Sequence, residues 1–186
     1  MKEHYILDVE STGRDPIKND IIEISIIRYS TKEQQTFNLK PLNKDSIEIE
    51  ALKVNKYTIE EIMNFEDPKK VIPKIENFLL NDDKTANERV IVGHNVEFDI
   101  KFLIELWNKC DTKDSYPFSY HYLDTKQIAM YNDFIFNSDY SEGYSLNKLI
   151  ERYGIKKQKL HRAESDTKMT LELFNHLISE SRNLIK

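Results

Sequence analysis

Tyr5-Ile6-Leu7-Asp8-Val9-Glu10-Ser11-Thr12-Gly13 is the stretch on which the fold reading turns. Residues 5–10 begin apolar and then alternate, the pattern of a β-strand. Side chains two apart on a strand point to the same side, so Asp8 and Glu10 share a face. Two like charges set beside Ile6 and Leu7 cost free energy unless a cation or hydrogen bonds compensate. A solvated acidic strand end is the alternative, and an isolated Asp-x-Glu does not separate the two. Ser11-Thr12-Gly13-Arg14-Asp15-Pro16 then makes a turn, because Gly and Pro disfavour any regular element there.

Outward from that strand, residues 21–29, rich in isoleucine, and 36–41 read as second and third strands, so an antiparallel meander opens the chain. Thr58 with Glu61 three residues on is a helix-start signal. Residues 71–80 place Val71, Ile75, Phe78 and Leu79 on one helical face. A short buried strand at 89–93, a helix at 98–107, a fifth strand at 120–124 and helices at 125–131, 144–153 and 163–179 complete the pattern. Strands first, then strands alternating with helices, predict an α/β fold with a five-stranded mixed sheet flanked by helices. With four glycines, five prolines, no Ser/Gly-rich linker and no internal repeat, residues 1–186 are expected to form a single domain.

Hydrophobic residues at 39% and charged residues at 32% are ordinary for a soluble globular protein. No apolar run approaches the roughly 20 residues that a membrane helix needs. Cys110 is the single cysteine, which excludes disulfides within the chain and cysteine-built zinc sites, and fits a reducing cytoplasm.

Two further segments carry ionisable groups at element boundaries. Val92-Gly93-His94-Asn95-Val96-Glu97-Phe98-Asp99 passes from a strand through a glycine turn into a helix, so Asp99 falls in the first helical turn. An acid there also simply complements the helix dipole. His161 and Asp166, spaced H-x-x-x-x-D, enter the last helix and can present both groups to one point. His161 equally fits a solvated basic loop with Lys159 and Arg162, or a His–Asp pair supporting the fold. Asp124 before Thr125 reads as an N-cap, Glu23 as a structural hydrogen-bonding group, and His94 with Asn95 as the shapers of the turn that aims Asp99.

Taken together and in order, these elements resemble the DEDD exonuclease family, His subclass, which includes the proofreading epsilon subunit of bacterial DNA polymerase III. The resemblance runs from Ile6–Gly13 through Asp20-Ile21-Ile22-Glu23-Ile24, resumes at Val92-Gly93-His94-Asn95 with Phe98-Asp99, and continues at Leu123-Asp124-Thr125. It closes with Ser145-Leu146 through Gly154-Ile155 and then His161-Arg162-Ala163 with Asp166, covering essentially the whole chain. A related subclass carries Tyr-x-x-x-Asp in the last motif, whereas the residue four before Asp166 here is Arg162. The resemblance implies a ribonuclease-H-like fold, four metal-binding acids (Asp8, Glu10, Asp99 and Asp166) and His161 as general base. It further implies 3′→5′ removal of nucleoside 5′-monophosphates from a nucleic-acid end, with a backbone amide near Thr12 holding the terminal 3′-hydroxyl. Two departures stand out: Arg14 where an apolar residue usually follows Thr-Gly, so a stacking guanidinium replaces an apolar wedge or the contact is absent, and Thr167 where alanine is usual.

Phosphodiester hydrolysis needs an activated water, in-line geometry and a stabilised leaving oxygen. Two Mg²⁺ or Mn²⁺ ions about 3.5–4 Å apart supply most of this, and hard cations prefer oxygen ligands. In the assignment that follows, Asp8 bridges both ions, Glu10 and Asp166 complete one site, and Asp99 reaches the second ion mainly through water. An imidazole such as His161 takes up a proton near neutral pH. Phe98 and Phe102 are candidates to stack terminal bases, with the core as the alternative place for each. Lys156, Lys157, Lys159 and Arg162 either steer phosphates or solvate a loop. The net charge of −5 does not oppose a polyanionic substrate, because four site acids supply −4 and bound cations offset them. It does argue against broad duplex binding.

Three functions compete on these residues. The first is a DNA-directed exonuclease, free or partnering a polymerase, with the free enzyme favoured because the fold consumes nearly every residue. The second is an RNA-directed relative such as an oligoribonuclease or RNA-end trimmer. The third, a catalytically idle scaffold, is opposed by the presence of all five catalytic residue types.

Overall fold

The computed structural model describes residues 2–112, 116–138, 142–157 and 162–183. Five strands form one sheet: β1 (Glu3–Ser11), β2 (Ile21–Arg28), β3 (Gln34–Asn38), β4 (Arg89–Gly93) and β5 (Tyr122–Asp124). Their order is β3-β2-β1-β4-β5, with β1–β2 and β2–β3 antiparallel and β1–β4 and β4–β5 parallel. Between β3 and β4 lie α1 (Ile49–Asn55), α2 (Ile59–Met63) and α3 (Pro68–Leu80), and α4 (Glu97–Cys110) joins β4 to β5. After β5 come α5 (Thr125–Phe136), α6 (Leu146–Arg152) and α7 (Ala163–Asn183). Among the described residues no helix is long and apolar enough to cross a membrane.

The expected meander and mixed sheet are present, with differences at the edges. The fifth strand starts at Tyr122 and not at 120, because Tyr120 is 79% exposed and lies outside the sheet. α1 was not expected, and its sequence gives little notice of it. Glu48 at its N-cap makes no side-chain capping bond, and the helix is stopped by Lys56 in the left-handed region at φ 60°. α2 begins as predicted, with Thr58 and Glu61 forming a reciprocal capping box.

Strand periodicity assigns the two faces of β1. Tyr5, Leu7 and Val9 join the core beneath α3 and α4, alongside Ile75, Phe78, Leu103 and Trp107. Ile6 lies on the opposite face with Ile27, Val92 and Phe174 of α7. Each such fully buried aliphatic side chain contributes about 1.5–3 kcal/mol relative to exposure, so the sheet has no freedom to slip by one residue. The same period carries Asp8 and Glu10 onto the α7 face, in line with Ile6. Asp8 is registered with Ser25 and Glu10 with Glu23, and the register shifts between Glu10 and Ser11. Such an irregularity bends a strand end, and here it follows directly on the acidic pair.

The β4–α4 turn fixes the other wall. Asn95 takes φ 59°, and the amides of Asn95 and Val96 donate to the two Asp124 carboxylate oxygens at 3.0 and 3.1 Å. Asp124 also accepts from the Lys126 amide, so one side chain caps α5 and pins the start of α4. Gly93 is required by close approach. A Cβ there would stand 2.7 Å from Val96 Cβ and 3.1 Å from the Leu7 carbonyl oxygen. Gly93→Ala is therefore expected to destabilise the protein by about 1–3 kcal/mol, measured by urea unfolding followed through Trp107 fluorescence. An unchanged unfolding midpoint would contradict this account of the turn.

Candidate active site

The expected carboxylates come from three elements. Asp8 and Glu10 occupy the C-terminal half of β1 on the face toward α7. Asp166 sits in the first turn of α7, where its own amide donates to the Arg162 carbonyl at 3.0 Å. One carboxylate oxygen from each of Asp8, Glu10 and Asp166 can be chosen so that all lie within 4.8 Å of one another. Asp99, in the first turn of α4, stands apart from that trio but adjoins it. Pairing between β1 and β4 ends at Ile6↔Val92, so the Val9 amide lies beyond the last β4 partner. Asp99 Oδ1 accepts from that amide at 3.0 Å and is buried to 4% exposure.

The electrostatics follow from this crowding. Asp8 is held well above the ordinary carboxylate range, first by burial and then by Asp99, Glu10, Asp166 and Glu23. Glu10 is pushed up to about 8 by burial and by Asp166, Glu23 and Asp99, with Arg162 opposing the shift. Asp99 is also raised to about 8 by burial, against the Val9 hydrogen bond, which favours the anion. Both Asp99 and Asp166 lie in first helical turns, where the positive end of the helix dipole eases the burden of negative charge. It does not remove it. Clustered, poorly hydrated carboxylates offering only oxygen donors are a set that fits a hard divalent cation, which would neutralise them.

The remaining predicted residues are distributed unevenly. His161 lies outside the described residues. Arg14 is exposed and, with the half-buried Phe98, walls a cleft of about 490 Å³ that also reaches Glu10, Ser11 and Gly13. Two expectations are corrected. Phe102 is 2% exposed, so it takes the core place that was its alternative and backs the Phe98 ring at 4.7 Å, reaching only the margin of a smaller cleft shared with Arg14 and Phe98. Thr12 is wholly buried: its amide donates to the Asp20 carbonyl at 2.8 Å and its hydroxyl accepts from the Asp20 amide at 2.9 Å. These bonds close the end of β1 and leave the Thr12 amide committed. Lys109 holds the same corner by pairing with Asp20 at 2.9 Å.

Arg162 is half-buried with its guanidinium 3.9 Å from the centre of the Tyr57 ring, a residue that sequence reasoning passed over. Tyr57 precedes the capping box of α2, and its hydroxyl donates to Glu23 at 3.0 Å. That bond meets the structural role expected for Glu23. The only local signal for Tyr57 was an aromatic residue just before a helix N-cap, which is common in packing. Thr167, the other departure, donates its buried hydroxyl to the Ala163 carbonyl within α7.

Against known proteins, the chain is 28% identical over 181 residues to a DNA polymerase III PolC-type of Thermotoga petrophila, covering 96% of this chain but 12% of that protein. It is 25% identical over 173 residues to the DNA polymerase III subunit epsilon of Treponema pallidum, covering 92% of this chain and 74% of the relative. The chain thus spans only about an eighth of the PolC-type relatives it matches. Among solved structures, cell-death related nuclease 4 superposes with a TM-score of 0.81 at 12% identity, covering 96% of this chain and 64% of that one. E. coli exonuclease I in complex with a dT13 oligonucleotide gives 0.79 at 18% identity, covering 100% and 43%. The fold is the ribonuclease-H-like fold of these exonucleases. The sequence pattern of the RNase T exonuclease family matches residues 5–174, nearly the whole length, and the chain belongs to that exonuclease family.

Proposed function

We propose that this protein is a divalent-metal-dependent 3′→5′ exonuclease that releases nucleoside 5′-monophosphates from single-stranded or frayed DNA ends. The observation that carries the reading is the convergence of Asp8, Glu10 and Asp166, with oxygens within 4.8 Å, beside a cleft lined by Glu10, Arg14 and Phe98. Asp8, Glu10 and Asp166 are assigned to hold one Mg²⁺ or Mn²⁺ ion, and Asp99, next to Asp8, to serve a second. When bound, the ions supply charge neutralisation at the reacting phosphate and make water acidic enough to deprotonate. His161 is assigned to take that proton, as its place in the last motif implies. The exposed Arg14 and the half-buried Phe98 are assigned to the terminal base, since a guanidinium and an aromatic edge both stack on nucleobases regardless of sequence. Ser11 and Gly13, which line the same cleft, take the place that Thr12 vacates at the terminal sugar.

DNA is preferred over RNA as substrate because the polymerase III relatives and the oligonucleotide-bound exonuclease I act in DNA settings by their names. The same likeness supports work alongside a DNA polymerase. The buried free thiol of Cys110 suits a reducing cytoplasm.

With Mn²⁺ or Mg²⁺, 5′-labelled single-stranded DNA is expected to give a ladder shortening from its 3′ end. Asp8→Asn and Asp166→Asn should each lower that rate by on the order of 100-fold or more while leaving the fold intact by circular dichroism. Intact DNA with every metal, or a faster RNA ladder, would overturn the substrate assignment. His161→Ala should slow turnover by about 100-fold or more with Mn²⁺ affinity nearly unchanged, measured by calorimetric titration. Equal loss of both would assign His161 to metal binding instead.

The raised carboxylates set a pH dependence with a definite sign. Unfolded, Glu10 and Asp99 ionise near pH 4, whereas in the folded, metal-free protein each holds its proton up to about 8. The folded state therefore binds more protons between those limits, and stability falls as pH rises through that window. A divalent cation requires the ionised acids, so the rise in Tm on adding Mn²⁺ should be larger at pH 8 than at pH 6. A larger rise at pH 6, read by scanning calorimetry, would refute this account.

A further inference from the structure

Arg162 immediately precedes α7, four residues before Asp166. Its carbonyl receives the amides of Ser165 at 2.9 Å and Asp166 at 3.0 Å, so its position sets where the first turn of α7 begins and where Asp166 stands. Its guanidinium lies over the Tyr57 ring at 3.9 Å. That ring is itself immobile. It is buried with Ile22, Leu52 and Ile62, packs edge-on against Phe65 at 5.3 Å, and ends in a hydroxyl bonded to Glu23. Glu23 is the cross-strand partner of Glu10. A closed circuit results: Glu10 on β1, Glu23 on β2, Tyr57 before α2, Arg162, and back through its carbonyl to Asp166.

We infer that Tyr57 and Arg162 form a latch that positions the first turn of α7, and with it Asp166, against Asp8 and Glu10. Arg162 is on this reading a positioning residue and not a phosphate contact. Three observations favour the latch over a role in steering substrate. The guanidinium is planar and rests on an aromatic face, an arrangement that a mobile surface cation has no reason to hold. Its charge lies in the field of Glu10 and of Glu61, whose carboxylate is fixed in the α2 capping box, so it faces the protein's own anions. The aromatic partner is anchored through Glu23 to the very strand pair that presents Asp8 and Glu10. Besides the latch, the α7 terminus is held by the buried Ala163 and Thr167 and by the Gln34 amide donating to the Glu164 carbonyl at 3.0 Å.

This inference rests on the exonuclease reading, and the test separates the two. The variants are Arg162→Ala, Arg162→Lys, Tyr57→Leu, Tyr57→Phe and the Arg162→Ala/Tyr57→Leu pair, assayed on labelled single-stranded DNA with Mn²⁺ over a series of salt concentrations. The latch predicts that Arg162→Ala and Arg162→Lys both lower kcat by about 10-fold or more with KM within about twofold, because lysine keeps the charge but not the planar stack. Tyr57→Leu should do the same, the pair should be no worse than either single change, and Tyr57→Phe, which keeps the ring but loses its tie to Glu23, should fall between the parent and Tyr57→Leu. Arg162→Lys behaving like the parent, or a raised KM with the salt slope of log(kcat/KM) reduced by about one, would identify a phosphate contact and overturn the latch. A parent protein without exonuclease activity sinks the functional reading alone, and the latch is then decided by Mn²⁺ thermal shifts without substrate. Arg162→Ala and Arg162→Lys, both at a half-buried site that tolerates them, should cut the Mn²⁺-induced rise in Tm by about half or more. An undiminished rise overturns the latch.

Discussion

Mutual repulsion among crowded carboxylates, each buried or half-buried, is the constraint around which this molecule is arranged. Asp8, Glu10, Asp99 and Asp166 meet where β1 runs past its last β4 partner, with Glu23 opposite Glu10 on β2. Left in water these groups would separate, and the folded chain does not let them. The strand cannot slip, because Ile6 and Leu7 are fixed in opposite cores, and two helices deliver their first turns to the same point. The free energy that apolar burial supplies elsewhere holds like charges together here, and the stored repulsion is what makes the cluster receptive to cations.

The elements around the cluster compensate for it in specific ways. The Val9 amide, which has no β4 partner, is answered by Asp99, so an open sheet margin and an unneutralised acid satisfy each other. Asp124 resolves a second such problem by accepting from three backbone amides at once, which ties the start of α4 to the start of α5. The Thr12–Asp20–Lys109 corner closes the end of β1 from the opposite side. These ties are polar and buried, so they fix geometry to within the tolerance of a hydrogen bond where apolar packing alone would allow drift. The cleft beside Glu10 is consequently bounded by the strand end, by Arg14 and Phe98, and by Glu50, Ala51 and Val54 of α1.

The chain's own sequence determined the opening strands and the faces of β1, since alternation with period two is a local property that survives in any context. It also marked the capping box at Thr58 and Glu61, and Asp124 as an N-cap, because capping involves residues only a few positions apart. Asp8 and Glu10 could be placed on one side of a strand from spacing alone. What lay beyond the sequence was whatever depends on residues far apart meeting. Phe98 and Phe102 share one face of α4, yet Phe98 in the first turn is half-buried beside the cleft and Phe102 one turn further on is packed into the core, a difference set by how far along the helix the core closes over it. Thr12 sits in a motif that advertises exposure, and its amide and hydroxyl are spent on Asp20 eight residues away. Tyr57 and Arg162 are 105 positions apart in the numbering and touch only because α7 returns across the sheet. Tertiary structure alone decided these, because a distance between elements is set by the packing of the whole core and is written in no short stretch of the chain.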